Sequence, residues 1–356
     1  MSSDNNQHSH IHLVGSVAMD NCEEVFSRVS DKLGEYLCRI PDGETGERLR
    51  WIFFQRQMLL DHPATEIDPT VPELELRQWD GKPLRSLPLL RFREDANIDD
   101  VHFETGYDKA AVYSYGVFTA KRNEGVVPRH ARFQVSLPTP MANGFMYASH
   151  KARDDFLDVY ERSLFKALGN ILTDIPNADL AIQFDVCIEV LLFENYYEHW
   201  PEDYKQQVFT MLGRLAGEVP IDVELGFHLC YGSPYGEPLV RPKDMAILVE
   251  LASGIDSVVG RVVDFIHLPV PQGRIEPEFY EPLRSLSLSP DTRIFLGLVF
   301  QGDPDGDKTR IAVARECLAE FGVATECGWG RTDPENVAGL LTSHLQAAQA
   351  LDRGQQ

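Results

Sequence analysis

Short apolar runs with strand character alternate along this chain with longer runs of helical period, the sequence form of repeated βα units around a parallel sheet. Eight strand-like runs are legible: HIHLVGSV (10–17), EYLCRIPD (35–42), ARFQVSLPT (131–139), DLAIQFDVC (179–187), VELGFHLCY (223–231), VVDFIHLPV (262–270), RIFLGLVFQ (293–301) and VATECGWG (323–330). Between them lie amphipathic stretches such as CEEVFSRVSDKLG, ERLRWIFFQRQMLL, RDDFLDVYERSLFKALGNIL and PENVAGLLTSHLQAAQAL, several with acidic starts and basic or glycine ends. This count predicts an α/β fold, a single (β/α)8 TIM barrel spanning 1–356. An open doubly wound sheet would place a glycine-rich phosphate turn after its first strand, and VGSVAMDN (14–21) does not match G-x-G-x-x-G. Residues 61–130 break the rhythm with proline, aspartate and arginine, then give VHFETGYDKAAVYSYGVFTAKRN (101–123), which alternates like a hairpin. They are expected to form a long insertion after the second βα unit, placed either to cover the barrel mouth or as a structural flap.

Composition narrows the function classes. The chain has 356 residues, 43% hydrophobic and 25% charged, as a folded protein does. Its 33 Lys and Arg against 55 Asp and Glu leave a net charge of −22, which disfavours a nucleic-acid or membrane-surface role. No apolar run is long enough for a membrane-spanning helix and the polar start has no signal-peptide form, so a cytoplasmic location is expected. Six scattered cysteines without framework spacing read as reduced thiols or metal ligands.

Barrel active sites sit at the C-terminal ends of the strands, and there this chain is polar. Ser16 ends the first run, Asp42 and Glu44 follow the second, Asp185 and Cys187 end the fourth, and His228 and Cys230 end the fifth. His267 lies in the sixth run, Asp303 follows the seventh, and Glu326 and Cys327 end the eighth. Strand alternation points His228 and Cys230 the same way, and Cys327 comes from across the mouth. An imidazole with two thiolates favours zinc and leaves one position open for a thiol or water. The bland alternative is a buried histidine with two core cysteines that act as small hydrophobes. Asp42 and Glu44 equally suit a turn and a helix start, and His267 among Phe265, Ile266 and Leu268 suits a hydrogen-bonded core histidine. Asp185 is the sharper signal, because a carboxylate ending an apolar strand is costly unless paired.

Five short motifs, in order, resemble the C-terminal catalytic barrel of cobalamin-independent methionine synthase, within the superfamily that also holds uroporphyrinogen decarboxylase. They are V-G-S (14–16), D-G-E-x-x-x-R (42–48), I-Q-F-D (182–185), H-L-C-Y (228–231) and E-C-G (326–328) with Arg331 following. The resemblance implies a zinc-dependent methyl or alkyl transfer to a small-molecule thiol such as homocysteine. His228, Cys230 and Cys327 would hold zinc, while Ser16, Glu44 and Asp185 would bind the amino-acid substrate. Asp303 would stand in for the family's proton donor; the place of the family's glutamate ligand reads HLPVP (267–271), so either His267 substitutes for it or the zinc has three protein ligands. D-V-C (185–187) and SLPTPMANG (136–144) also depart from the family pattern, and these changes fall on the methyl-donor side, leaving the donor a folate or another carrier. The alternatives are a zinc thiol-epoxide transferase, a uroporphyrinogen-decarboxylase-like lyase and an inert ligand-binding barrel. The oligomeric state has no signature in the sequence.

Overall fold

The structure, a computed structural model, describes residues 10–234 and 238–353. Its centre is a curled seven-stranded parallel sheet in sequential order. The strands are β1 (Arg39–Pro41), β6 (Arg132–Pro138), β7 (Leu180–Val186), β8 (Glu224–Leu229), β9 (Phe265–Pro269), β10 (Arg293–Gly297) and β11 (Gly322–Ala324). The strands from β6 to β10 are buried almost throughout because helices cover the outer face and side chains fill the inner one, which is why they read as continuous apolar runs rather than alternating ones. The architecture is α/β and consistent with a TIM-like barrel.

The first expected strand, 10–17, is extended but forms only isolated bridges. Ile11 pairs in parallel with both Leu37, next to β1, and Val323 in β11, so this segment lies between the first and last strands of the sheet. Two buried glutamines hold it there. Gln134 donates to the carbonyls of Leu13 and Val14, and Gln183 donates to the Val14 carbonyl while accepting from His12 Nε2 at 2.9 Å. Side-chain amides thus do part of what a ladder would do.

The outer layer consists of α1 (Cys22–Leu33), α3 (Tyr107–Asn123), α5 (Arg153–Asp174), α7 (Tyr204–Gly217), α8 (Ala246–Val258), α10 (Pro304–Cys317) and α11 (Val337–Arg353). Asn21 caps α1 through its side chain, with Glu23 and Glu24 in the first turn opposing the helix dipole.

Segment 101–123 corrects the sequence expectation. Instead of a hairpin it contains α3, with Tyr107, Ala111, Ser114 and Phe118 buried at helical spacing. Helix α3 packs between α1 and α5, so it takes the place of the helix after β1. The run 47–60, expected to be that helix, is instead a kinked 3-10 segment (Gly46–Phe54) and the short α2 (Gln55–Asp61). What separates α2 from α3 is two small antiparallel pairs, β2 (Thr65–Ile67) with β5 (Leu90–Phe92), and β3 (Leu74–Arg77) with β4 (Pro83–Leu87). Short helices α4 (Pro140–Tyr147), α6 (Ile188–Phe193) and α9 (Pro277–Tyr280) follow β6, β7 and β9. At the N-terminal end of the strands, Arg39 bonds Glu224 at 2.8 Å and lies over the Phe265 ring at 3.9 Å, closing the floor with a paired cation. Among the described residues no helix is long and apolar enough to cross a membrane.

Candidate metal and substrate site

Parallel register carries the chemistry to one level. Asp185 in β7 is opposite His228 in β8, and His228 is opposite His267 in β9. Beyond the strand ends opens a cavity of about 780 Å³, lined by Ser16, Glu44, Asp185, Cys187, His228, Cys230, Cys327 and Arg331. Trp51, Phe53, Phe54, Leu76 and Arg85, from the segment between β1 and α3, line it as well. Of the expected site residues, six therefore meet in one cavity: Ser16, Glu44, Asp185, His228, Cys230 and Cys327.

His228, Cys230 and Cys327 offer ligand atoms that all lie within 4.8 Å of one another. Cys230 Sγ is 3.6 Å from Cys327 Sγ, and both thiols are free of disulfides. The hydrogen bonding of the two histidines assigns the tautomer of His228. His267 Nε2 lies 3.0 Å from the Thr325 carbonyl, an acceptor, so it carries the proton. Burial first, then His228 nearby, holds the His267 pKa well below its usual value, so the ring is neutral and its Nδ1 accepts. His228 Nδ1, 2.7 Å away, must therefore donate, so in the neutral His228 ring the lone pair lies on Nε2. That nitrogen is buried with no hydrogen-bond partner. An orphaned imidazole lone pair beside two thiols is a donor set that zinc fits, with a neighbouring residue orienting the ligand as metal sites require. His267 has both nitrogens engaged by protein, so it positions His228 and does not reach the cavity.

Arginine tunes the sulfurs. Arg331 Nη2 donates to Cys327 Sγ at 3.2 Å and to Ser233 Oγ at 3.0 Å. The Cys327 thiol is held well below its usual pKa, by the hydrogen bond from Cys230 against the opposing pull of burial, and by the Arg331 cation. Cys230 moves the other way, raised by the neighbouring sulfurs of Cys187 and Cys327 and by burial.

The second half of the site is anionic. Asp185 is pushed up to about 6, by burial above all, while Gln183 Nε2 donates to its Oδ1 at 2.9 Å. Glu44 is raised well above the usual carboxylate range by burial and then by Asp185. Two carboxylates facing one space favour a bound cation, and an ammonium group fits. The backbone that aims Glu44 is unusual: Gly43, Glu44 and Gly46 all have positive φ, Glu44 at 47°. Gly15 makes room for it, since a Cβ there would sit 2.2 Å from Glu44 Oε1. Asp42 is structural, accepting from Arg48, from Ser114 Oγ in α3 at 2.7 Å and from the Glu44 amide at 2.8 Å. Ser16 Oγ accepts from the Gly330 amide at 3.1 Å and so ties the first segment to the loop that follows Cys327.

Asp303 is not among the cavity-lining residues. It caps α10, accepting from the Gly306 amide, and pairs with Arg310 Nη2 at 2.9 Å, which holds it below its usual pKa although burial pulls upward. Trp51 was not singled out by its sequence. It holds φ 51° and ψ −128°, a conformation costing a bulky residue on the order of 1–3 kcal/mol, and its indole lies beside Asp185. Arg331 and Cys187 also gain a place from the geometry. The spacing of Cys187 from Asp185, one residue between them at a strand end, was the available signal for the second.

No known family profile matches the chain, and no curated protein does. Solved structures do. A B12-independent methionine synthase from Shewanella sp. W3-18-1, in complex with selenomethionine, aligns over 94% of this chain and 88% of its own with a TM-score of 0.58 and 14% identity. The likeness is one of fold. A Listeria monocytogenes protein provisionally named a vitamin-B12-independent methionine synthase aligns over 96% and 97%, with a TM-score of 0.57 and 14% identity. A methyltransferase from Methanosarcina mazei aligns over 96% and 94%, with a TM-score of 0.51 and 11% identity.

Proposed function

We propose that this protein is a zinc-dependent methyl or alkyl transferase acting on a small-molecule thiol of the homocysteine type, built on a single (β/α)8 barrel in which segment 10–17 completes the ring. The observation that carries this reading is the buried, unpartnered His228 Nε2 facing the thiols of Cys230 and Cys327. The complex with selenomethionine in the Shewanella structure supports an amino acid of that size in such a barrel.

His228, Cys230 and Cys327 would hold the metal, which when bound keeps a substrate thiol as thiolate at neutral pH. Glu44 and Asp185 bind the substrate ammonium, and Ser16 fixes the strand end beside them. Trp51 and the aromatic residues around it exclude water from the cavity. Arg331 holds Cys327 in its ligating thiolate form. The substrate sulfur then attacks the donor's methyl carbon; the S–C bond forms as the bond from carbon to the donor breaks, and the donor leaves with the electron pair. On the donor side the cavity walls come from the segment between β1 and α3, and the donor remains a separate assignment.

Elemental analysis of protein purified without chelator tests the reading. We expect near one zinc per chain, falling sharply in Cys327→Ala, and S-methylation of homocysteine when a competent donor is supplied. Zinc-free protein, with the variant indistinguishable from the parent, would overturn it.

A further inference from the structure

A third thiol sits beside the triad. Cys187 follows β7, is 4% exposed, and lines the same cavity. The register of the sheet locates it. Asp185 is opposite His228 and Val186 opposite Leu229, and the Cys230 amide donates to the Val186 carbonyl at 3.1 Å, the bond that in a parallel ladder places Cys230 opposite Cys187. Cys187 itself turns into the following helix, and both thiols line the cavity. The Cys187 sulfur lies against Gly232, 3.5 Å from where a Cβ on that residue would stand, so it sits beside the turn that follows Cys230. At the place from which a fourth ligand would be expected, β9 offers Pro269, and His267 has both nitrogens engaged.

We infer that Cys187 is the fourth ligand of the metal site, making the donor set one imidazole and three sulfurs. This inference rests on the reading that the triad binds metal. Cys187 stands outside the close triad, so its ligation requires the side chain to move toward Cys230, which it opposes at the strand ends. Three soft thiolates with one imidazole form a tetrahedral set suited to zinc. Because its sulfur lies off the close triad, Cys187 would also be the ligand to give way to a substrate thiol, taking up the proton that thiol releases.

Cobalt(II) titration of the metal-free protein reads the number of thiolates from the sulfur-to-cobalt charge-transfer absorbance. Wild type and Cys317→Ser, a control outside the cavity, should match each other. Cys187→Ser should lose about one third of that absorbance, as expected for three sulfurs reduced to two. Equal absorbance in Cys187→Ser and wild type would overturn the assignment while leaving the triad intact. No charge-transfer absorbance in wild type would remove the metal site itself and this inference with it. A measurement on wild type alone guards against misfolding of the variant. Alkylation of the zinc-free and zinc-loaded protein, mapped by mass spectrometry, should show Cys187 protected by zinc together with Cys230 and Cys327. Protection of Cys230 and Cys327 with unchanged labelling of Cys187 would refute it.

Discussion

Replacing His267 tests the tautomer argument on which the metal site stands. His267→Phe keeps an aromatic ring in a fully buried position but removes the acceptor for His228 Nδ1–H, now 2.7 Å away, and the donor to the Thr325 carbonyl at 3.0 Å. His228 then loses the contact that keeps its proton on Nδ1 and its lone pair on Nε2. Loss of such an orienting partner costs about 10- to 100-fold in metal affinity, or roughly 1.4 to 2.8 kcal/mol. The stranded Nδ1–H and carbonyl add a folding cost on the order of 1–3 kcal/mol each. His267→Gln retains an acceptor and a donor on one side chain, so it should recover much of the affinity. Zinc affinity is measured by competition with a chelating dye near pH 7.5, alongside thermal unfolding to show that each variant is folded. A folded His267→Phe variant that binds zinc as tightly as wild type would refute the reasoning, because His228 would then need no partner to present Nε2.

Removing one charge from the anionic half, by Asp185→Asn or Glu44→Gln, should weaken homocysteine or methionine binding about 10- to 100-fold by calorimetry, the value of a charge-assisted hydrogen bond, and leave zinc content unchanged. Since Asp185 has a pKa near 6, wild-type binding should also weaken as pH falls through 6 and protonates it. Gly15→Ala should mimic Glu44→Gln with little change in unfolding temperature: its new Cβ meets the end of a flexible side chain, which swings away from the substrate. Glu189, fully buried with both carboxylate oxygens unpartnered, is raised to about 7 by burial above all. A raised carboxylate pKa means the folded state holds its proton more tightly, so stability is full below about pH 4.5 and falls as pH rises through 7. Glu189→Gln should remove roughly 3 kcal/mol of that decline between pH 4 and pH 8 in denaturant titrations, and an unchanged pH profile would show that the carboxylate is solvated.

The parallel strands were legible because they are buried on both faces: LAIQFDV and FIHLP read as strands in any frame, and the polar residues that end them stand out against apolar runs. The proposed metal ligands, His228 in β8, Cys230 just after it and Cys327 in the loop after β11, stand out in the sequence for the same reason. What the linear pattern hid depends on contacts distant in sequence. Tyr107–Asn123 reads as a hairpin because Tyr113, Tyr115 and Val117 alternate with polar neighbours, yet the deciding partners are α1 and α5, and Tyr113 is 71% exposed. The 3-10 segment with Trp51 looks helical by apolar spacing, since nothing in its sequence announces a positive φ on a tryptophan. His267 was read as a core histidine or a substitute ligand. It is fully buried yet one bond from the site, a position that only the register of β8 against β9 reveals.

That register also sets the proposed thiol side of the site apart from the rest of the cavity. Asp185, His228 and His267 stand in one row of a hydrogen-bonded sheet, so moving any of them by one position would slip a strand and turn its apolar set out of the core. Trp51, Phe53, Phe54, Leu76 and Arg85 come from short, irregular elements whose backbone is not tied to that row. Substitutions there change the shape of the cavity without disturbing the sheet. On the proposed reading, such a barrel holds its nucleophile side by the same hydrogen bonds that hold the fold, and leaves the choice of methyl donor to segments that can vary independently.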